Sequence, residues 1–476
     1  MAFYFTWQQK KQYTSTPLEV SSRLNLLSNP MNYLHVEQKN LGRVWNLAWP
    51  MILSNISVPL LGAVDTAILG HLSSAEYLSG VAIGASVMSM LLWAFGFLRM
   101  GTTGIVARSQ DGGIEWLLRA LTLALALGVL LQLMAYPFIG HIVNWMNASS
   151  DASPHATAYL QIRLISAPVA LVNFALLGFF IGRQDSRAPL YILLVANLLN
   201  IGLDFLFILG FGLGAKGAAI ATVCADFFAL VMGLFLLTRV NNTIWQDIVT
   251  HIRAPHFQPW VDWKPWLELL HINTDLFIRT CLLLLTLTFF TAQGAAQGDS
   301  VLAANAILLQ LLMMTSYALD GFAHATEALV GESIGKKSNK LFQETVYAAG
   351  IWALGSAALL TLLLITGKPI IIKLFTDLPK VILEINKIYW WLCALPLLAV
   401  WSYQLDGVFI GAGKSRQMRD TMFIATILIF FPSWWLTQDW GNHGIWFSLF
   451  LWIIARSLGL IFYYRYYTIN DFWITK

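Results

Sequence analysis

Acidic, amide and hydroxyl residues lie inside stretches that are otherwise apolar enough to cross a membrane. Asp65 lies within the stretch Trp45–Gly70, and Asn200, Asp204 and Thr222 lie within two later stretches. A charge near hydrocarbon costs at least about 2–3 kcal/mol, so such residues usually mark ion or substrate pathways. These oxygen-rich groups suit Na⁺ or a shared proton, because burial and a neighbouring negative charge both favour a protonated carboxyl.

Residue spacing places these groups at similar depths. Asn200 and Asp204 are four residues apart, so they share one helix face. Tyr159 and Arg163 enter the fourth apolar stretch at a comparable depth. A structural alternative stays open, in which Asp204 and Arg163 form a buried pair while Asp65 reaches outward.

Pro59 precedes Asp65 by six residues. Proline cannot donate a backbone hydrogen bond, so the carbonyl of Asn55 is left free and the helix can bend there. A protonatable carboxylate beside a bendable helix would couple a change of charge to a change of shape.

A second set of polar residues lies in the seventh and eighth apolar stretches. Their distances from the stretch ends predict an Arg279–Asp320 pair and place Asp275 near His324. We favour a structural role for these residues, because breaking a buried pair leaves an uncompensated charge.

The functional alternative for this set is a second protonation site or part of a substrate wall. Asp320, His324 and Glu327 have the i, i+4, i+7 spacing of one helix face. Asp406, near the inner end of the tenth stretch, is expected to face the cytoplasmic vestibule or the loop cations.

The composition is typical of a polytopic membrane protein. Of the 476 residues, 57% are hydrophobic and 11% are charged, against about 25% charged in soluble domains. The net charge of +4 comes from scattered basic residues, so no nucleic-acid partner is expected. The three cysteines predict neither a metal site nor a disulfide framework.

A spanning helix needs about 20 mostly apolar residues, and on that scale the sequence predicts an all-α protein with twelve transmembrane helices. The expected parts are a cytoplasmic tail (1–43, with 1–30 dispensable), an N-lobe (44–240), a cytoplasmic linker (241–264), a C-lobe (265–467) and a C-terminal tail (468–476). The predicted spans are 45–70, 79–107, 118–144, 156–182, 189–211, 217–238, 265–291, 301–333, 343–366, 388–411, 420–436 and 444–465.

The distribution of Lys and Arg predicts the orientation. With both termini in the cytoplasm, 20 of the 29 basic residues fall on the inner side, 5 in outer loops and 4 within spans. Basic residues are enriched in cytoplasmic loops. We therefore expect a multi-pass protein of a bacterial-type inner membrane with both termini inside.

The two halves also repeat. The segment FIGRQDSR at Phe180–Arg187 matches FIGAGKSR at Phe409–Arg416, one closing the fourth span and the other the tenth. Because each half has an even number of spans, the repeats are parallel, with a pseudo-two-fold axis along the membrane normal. Two six-helix bundles around a cavity predict an alternating-access transporter.

From about residue 40 onward, the chain resembles the DNA-damage-inducible-F branch of the multidrug and toxic compound extrusion (MATE) family. The motifs that carry the resemblance are Asp65, the NxxxD of Asn200–Asp204, FIRT (Phe277–Thr280), AANAILLQ (Ala303–Gln310) and ALDGFAHATEALVG (Ala318–Gly331).

This resemblance implies a twelve-helix antiporter that exports cationic or amphiphilic toxic compounds in exchange for H⁺ or, less favoured, Na⁺. It implies that Asp65, Asn200, Asp204 and Thr222, with Tyr159 beside them, form the cation site. It also makes Pro50 a second bend candidate, and the sequence does not choose between Pro50 and Pro59.

The main alternative is a lipid-linked oligosaccharide flippase, whose cavity would need many Arg and Lys residues to bind pyrophosphate. A channel or an intramembrane enzyme is less favoured; the chain has no HExxH motif. We expect no enzymatic activity, no resident metal and no cofactor beyond the coupling ion. The expected partners are the bilayer and small organic substrates, and the expected state is a monomer.

Overall fold

The computed structural model describes residues 30–70, 75–111, 113–146, 149–240, 246, 248–250 and 262–474. Within α1 it leaves out the side chains of 30–38 and of several residues between 58 and 70, including Pro59 and Asp65. The predicted tail segment 1–29 and most of the predicted linker 241–264 lie outside the described residues.

Long helices account for almost all of the described residues, and each predicted span coincides with one of them. The N-terminal six are α1 (Pro30–Gly70), α2 (Glu76–Arg108), α3 (Ile114–Trp145), α4 (Ala152–Ile165 and Ala167–Gly182), α5 (Arg187–Gly210) and α6 (Gly214–Val240). The C-terminal six are α7 (Trp263–Ala296), α8 (Asp299–Gly335), α9 (Asn339–Thr366), α10 (Pro379–Gly411), α11 (Ser415–Trp440) and α12 (Asn442–Ile469).

Ten of the described helices are long and apolar enough to cross a membrane, and α4 makes eleven if its two halves, bent by 51°, count as one span. With α1, some of whose side chains are not described, the protein is an all-α polytopic membrane protein with twelve spanning helices. A short helix, Lys368–Phe375, connects α9 to α10.

Glycines repeat the same helix contact in both halves. A Cβ at Gly178 or Gly182 of α4 would lie 2.5 Å from the carbonyl oxygen of Arg99 or 2.8 Å from that of Thr103 on α2. In the second half, Gly407 and Gly411 of α10 approach two carbonyl oxygens of α8 at 2.4 and 2.5 Å. Only glycine permits such an approach.

A second feature recurs in equivalent helices. A π-helical segment, Phe205–Gly210, ends α5, and another, Ile424–Phe430, lies within α11. The α5 segment begins immediately after Asp204, and π-bulges often occur at functional sites.

The two halves meet closely at one end of the molecule. The C-terminal part of α2 packs against α7, α8 and α10 of the other half. Small residues allow this approach, since a Cβ at Gly104 would lie 2.4 Å from the carbonyl oxygen of Ile410. At the same end, a Cβ at Gly331 would lie 2.3 Å from the Cβ of Ala107.

Candidate ion and substrate sites

A buried polar cluster lies between α5 and α6 in the N-terminal half. Asn200 and Asp204 are each 1% exposed. With the Asn200 nitrogen toward the carboxylate, Nδ2 donates to Asp204 Oδ2 at 2.9 Å and the amide oxygen lies 3.2 Å from Thr222 Oγ1. Which way an amide points is assigned from its hydrogen bonds. The structure therefore brings these three predicted residues together.

Tyr159, also predicted for this site, is buried in an adjacent apolar cluster. That cluster contains Ile68 of α1, Val81 of α2, Ile208 of α5 and Ala219 of α6. Helices α1, α2, α4, α5 and α6 therefore converge around the tyrosine.

The carboxylate of Asp65 and the ring of Pro59 lie outside the described side chains, so their predicted roles stay predictions. Pro50 is described and buried within a continuous α1. The carbonyl that Pro50 leaves without a helical partner is that of Asn46, and the Ser186 hydroxyl lies 3.5 Å from it as a donor. Ser54 donates to the Pro50 carbonyl at 2.8 Å.

The alternative Asp204–Arg163 pair is wrong. Arg163 Nη1 instead donates to Asp226 Oδ2 at 2.6 Å and to Ser166 Oγ at 2.7 Å. The Ser166 hydroxyl lies at the bend of α4, 2.8 Å from the same carboxylate oxygen. Sequence reasoning missed Asp226, although it follows Thr222 by four residues and therefore shares its helix face.

A cavity of about 310 Å³ lies between the two halves. Charged residues from both halves line it, whereas the walls around them are largely apolar and aromatic. These charged residues are Arg99, Arg279, Arg456, Asp320, Asp406 and Glu327, with His324 beside them.

The predicted Arg279–Asp320 ion pair does not form. Arg279 binds Asp406 through Nη2, and Arg456 Nη2 donates to the same carboxylate oxygen, Asp406 Oδ2, at 3.3 Å. Asp406 is therefore a buried residue between two guanidinium groups, not one that faces the cytoplasmic vestibule or the loop cations. Depth along a helix matched Arg279 to Asp320, but it does not specify which neighbouring helix the side chain faces.

The predicted Asp275–His324 neighbourhood is also wrong. Arg419 Nη1 of α11 donates to Asp275 Oδ1 at 2.6 Å, and the Ser415 hydroxyl donates to Oδ2 at 2.9 Å. Arg419, which the sequence places in a cytoplasmic loop, thus binds α7 together with Ser415.

His324 and Glu327 contact the other half of the molecule. Arg99 Nη1 of α2 lies 3.3 Å from His324 Nδ1 and 3.9 Å from Glu327 Oε2. Asp320, one turn before His324, has no hydrogen bond or ion pair among the described residues. The predicted common face of α8 is therefore a wall of the cavity, with Arg99 opposite it.

Polar side chains close the end where α1 begins and α8 ends. Arg43 Nη2 donates to Glu332 Oε2 at 2.5 Å, and Gln184 Nε2 donates to the same oxygen at 2.8 Å. These bonds join α1 and the α4–α5 turn to α8, across the two halves.

Within the described part of the chain, no group of three or more His, Cys, Asp or Glu residues is arranged to hold a metal ion. The oxygen donors of a Na⁺ site would be Asp204, Asn200 and Thr222.

Both halves match one family. The MatE family model matches residues 50–206 and 276–436. DNA damage-inducible protein F of Escherichia coli is 37% identical over 90% of this chain and 93% of that protein. The probable multidrug resistance protein NorM of Thermotoga maritima is 25% identical over 88% and 90%.

Solved structures share the fold. A MATE crystal structure in complex with MaD5 superposes with a TM-score of 0.78 at 20% identity, covering 89% of this chain and 95% of that one. An outward-facing multidrug resistance MATE transporter of the MOP superfamily gives a TM-score of 0.76 at 20% identity, with the same coverage. The chain belongs to the MATE family of multi-pass multidrug and toxin efflux transporters, in the branch of DNA damage-inducible protein F.

Proposed function

We propose that this transporter is an antiporter that exports amphiphilic organic compounds, cationic ones included, in exchange for protons taken up by the first-half cluster. The observation that carries the proposal is Asp204, a carboxylate that is 1% exposed and lies beside the Asn200 amide, which in turn faces the Thr222 hydroxyl. Asp65 is proposed as the second carboxylate of this site.

The amide of Asn200 suits both protonation states of Asp204. In one orientation Nδ2 donates to the carboxylate at 2.9 Å. In the other, Nδ2 donates to Thr222 Oγ1 at 3.2 Å, so the amide oxygen turns toward Asp204 and can accept a hydrogen bond from its acid form. This exchange of donor for acceptor favours H⁺ over Na⁺ as the coupling ion.

Alternating access is supported by the contacts that close one end of the cavity between the two halves. At one end, the Arg43–Glu332 pair and the glycine contacts hold the halves together. That end is the cytoplasmic one if the orientation predicted from Lys and Arg is correct. The structure then corresponds to a state closed to the cytoplasm, and transport requires these contacts to separate.

A lipid-linked oligosaccharide flippase would need arginines in the cavity, and three are present. Two of the three, however, share the carboxylate of Asp406. The relatives named as multidrug resistance proteins cover most of the chain. Efflux of amphiphilic compounds is therefore preferred to the transfer of lipid-linked oligosaccharides.

Exchange in proteoliposomes tests the proposal. A proton gradient, with sodium equal on both sides, should drive uptake or release of a fluorescent organic cation such as ethidium. A sodium gradient at equal pH should not. Asp65→Asn should fold normally and lose the proton-driven exchange. Exchange driven equally by sodium, or unchanged in Asp65→Asn, would contradict the proposed coupling.

A further inference from the structure

The segment between α9 and α10 departs from the charge pattern of the other outer loops. Of the five basic residues that the predicted orientation places in outer loops, four lie in this segment, namely Lys368, Lys373, Lys380 and Lys387. The segment also contains two acidic residues, so its net charge is +2. Basic residues are normally concentrated on the cytoplasmic side. Their concentration here points to an anionic partner at the outer surface of the membrane.

The short helix of this segment, Lys368–Phe375, is called the connector helix, and it presents large apolar side chains on its exposed face. Ile370 is 76% exposed and Leu374 is 81% exposed, and their four-residue spacing places them on one helix face. An apolar face beside lysines is typical of helices that lie in the headgroup region of a bilayer. The connector helix therefore has the pattern of an interfacial helix.

The opposite face holds the connector helix against the ends of two spans. Ile372 is buried in the same apolar cluster as Leu364 of α9 and Val381 and Ile385 of α10. Tyr389 of α10 belongs to this cluster, and its hydroxyl donates to the Leu364 carbonyl at 2.9 Å. Because the helix lies between the end of α9 and the start of α10, it is positioned where these spans leave the hydrocarbon.

A cavity of about 390 Å³ lies beside the connector helix. This volume is within the range of about 300–1,000 Å³ that is usual for ligand pockets. Four side chains with hydrogen-bond donors line it, those of Lys368, Lys373, Thr376 and Asn386, and the carboxylate of Asp377 lines it as well. The cavity therefore combines two positive charges and two neutral donors with one negative charge.

The two lysines of this cavity are available to a ligand. Lys368 Nζ lies 5.1 Å from the centre of the Tyr389 ring. Among the described residues, neither Lys368 nor Lys373 has a hydrogen bond or an ion pair, and Asp377 neutralises neither of them. Lys387, by contrast, is paired with Glu384 at 2.7 Å. A ligand oxyanion can therefore bind both cavity lysines without displacing an existing partner.

Charge and apolar surface together select the kind of ligand. A soluble phosphate would satisfy the lysines and leave the apolar side chains of Ile370 and Leu374 in water. A neutral lipid would cover those side chains and leave the lysines without a counter-charge. An anionic phospholipid satisfies both, because its phosphodiester carries a negative charge and its acyl chains are apolar.

We propose that the cavity beside the connector helix binds the headgroup of an anionic phospholipid of the outer leaflet. Lys368 and Lys373 contact the phosphodiester, and Ile370 and Leu374 lie beside the acyl chains. This lipid is a resident partner of the second half and is distinct from any compound that the transporter exports. It anchors the outer ends of α9 and α10 at the membrane surface.

Photo-crosslinking in the bilayer tests the site. Benzoylphenylalanine introduced at Leu374 reports the neighbouring lipid, and the same residue at Leu354, which is 42% exposed near the middle of α9, reports the bulk lipid. The protein is placed in liposomes of equal parts dioleoylphosphatidylglycerol and dioleoylphosphatidylcholine, and mass spectrometry identifies the crosslinked lipid. Phosphatidylglycerol should be enriched about tenfold at Leu374 relative to Leu354, since two lysines attract its net negative charge. Equal ratios at the two positions would overturn the proposal.

Charge variants then locate the phosphate. Lys368→Gln/Lys373→Gln should abolish the enrichment at Leu374, and Lys368→Arg/Lys373→Arg should keep it, because arginine also binds phosphate. Lys380→Gln/Lys387→Gln removes the same charge from the same segment outside the cavity lining and is the matched control. An equal loss in this control would mean that diffuse surface charge attracts the lipid, and it would overturn the assignment to the cavity.

A soluble competitor distinguishes the lipid from a free phosphate. An excess of glycerol 3-phosphate should leave the enrichment unchanged, because it lacks the acyl chains that contact the apolar face. Loss of the enrichment would identify a soluble phosphate as the ligand and would contradict the proposal. Crosslinking needs neither an ion gradient nor an exported compound, so its outcome is independent of the proposed proton coupling.

Discussion

The two halves of the molecule share a scaffold and differ in how they hold a buried carboxylate. In the first half, Asp204 lies beside the amide of Asn200, which in turn faces Thr222. In the second, Asp406 lies between the guanidinium groups of Arg279 and Arg456. The glycine contacts of α4 on α2 recur in α10 on α8, so the difference arises from the side chains and not from the backbone.

This difference separates two roles. The carboxylate of Asp406 binds guanidinium groups of two other helices at once and so holds α7, α10 and α12 together. A proton on Asp204 can be matched by a rotation of the neighbouring amide, which turns the amide oxygen toward the carboxyl group. Proton exchange is therefore expected at Asp204, and a structural role is expected at Asp406.

The largest expected effect is a difference in the free energy of unfolding between variants of Asp406 and of Asp204. Asp406→Asn should lower the free energy of unfolding by about 3–5 kcal/mol, because it leaves two buried guanidinium groups without a counter-charge. Asp204→Asn should cost less than about 1 kcal/mol, since the new amide can still hydrogen-bond with Asn200. Denaturant unfolding in mixed micelles measures both, and equal losses would remove the distinction.

A smaller effect is expected at Asp226, the structural carboxylate of the first half. Asp226→Asn should cost about 2–3 kcal/mol, because it weakens charge-assisted bonds to Arg163 and Ser166. The side chain of Asp226 is 23% exposed, so the loss should be below that at Asp406. The same unfolding assay applies, and a stability like that of the wild type would mean that the pair does not hold the α4 bend.

The smallest loss of stability is expected at the glycine contacts that both halves share. Gly178→Ala and Gly407→Ala should each cost about 1–2 kcal/mol, because each new Cβ meets a carbonyl oxygen of the neighbouring helix. Gly350→Ala, where a Cβ meets nothing within 4 Å, is the matched control and should stabilise α9 by up to about 1 kcal/mol. If one of these two variants lost much more unfolding free energy than the other, the two halves would not be equivalent at these contacts.

Hydrophobic stretches and spacing predicted much of this architecture. The helices follow because a spanning segment must satisfy its own backbone hydrogen bonds, which makes apolar length informative. The i, i+4 rule correctly placed Asn200 and Asp204 together, because both lie on one helix. The repeated FIG motif also corresponds to a structural repeat, since Gly182 and Gly411 each approach a neighbouring backbone.

Partners on different helices were predicted poorly. Distances from the ends of the apolar stretches paired Arg279 with Asp320 and Asp275 with His324. The rise per residue, however, gives no information on helix rotation or on which helices are neighbours. Arg419 was counted as a loop cation, although it reaches back to Asp275. The π-helical segment after Asp204 rotates the rest of α5 and has no signature in apolar periodicity.

We propose that Asp204 couples export to proton movement without being needed for the substrate site itself. Proteoliposomes that contain Asp204→Asn can be loaded with unlabelled ethidium and tested in two assays: substrate-for-substrate exchange without a gradient, and accumulation driven by a proton gradient. We predict that the exchange is retained and the gradient-driven accumulation is lost. Gradient-driven accumulation at the wild-type rate in Asp204→Asn would contradict this role of Asp204.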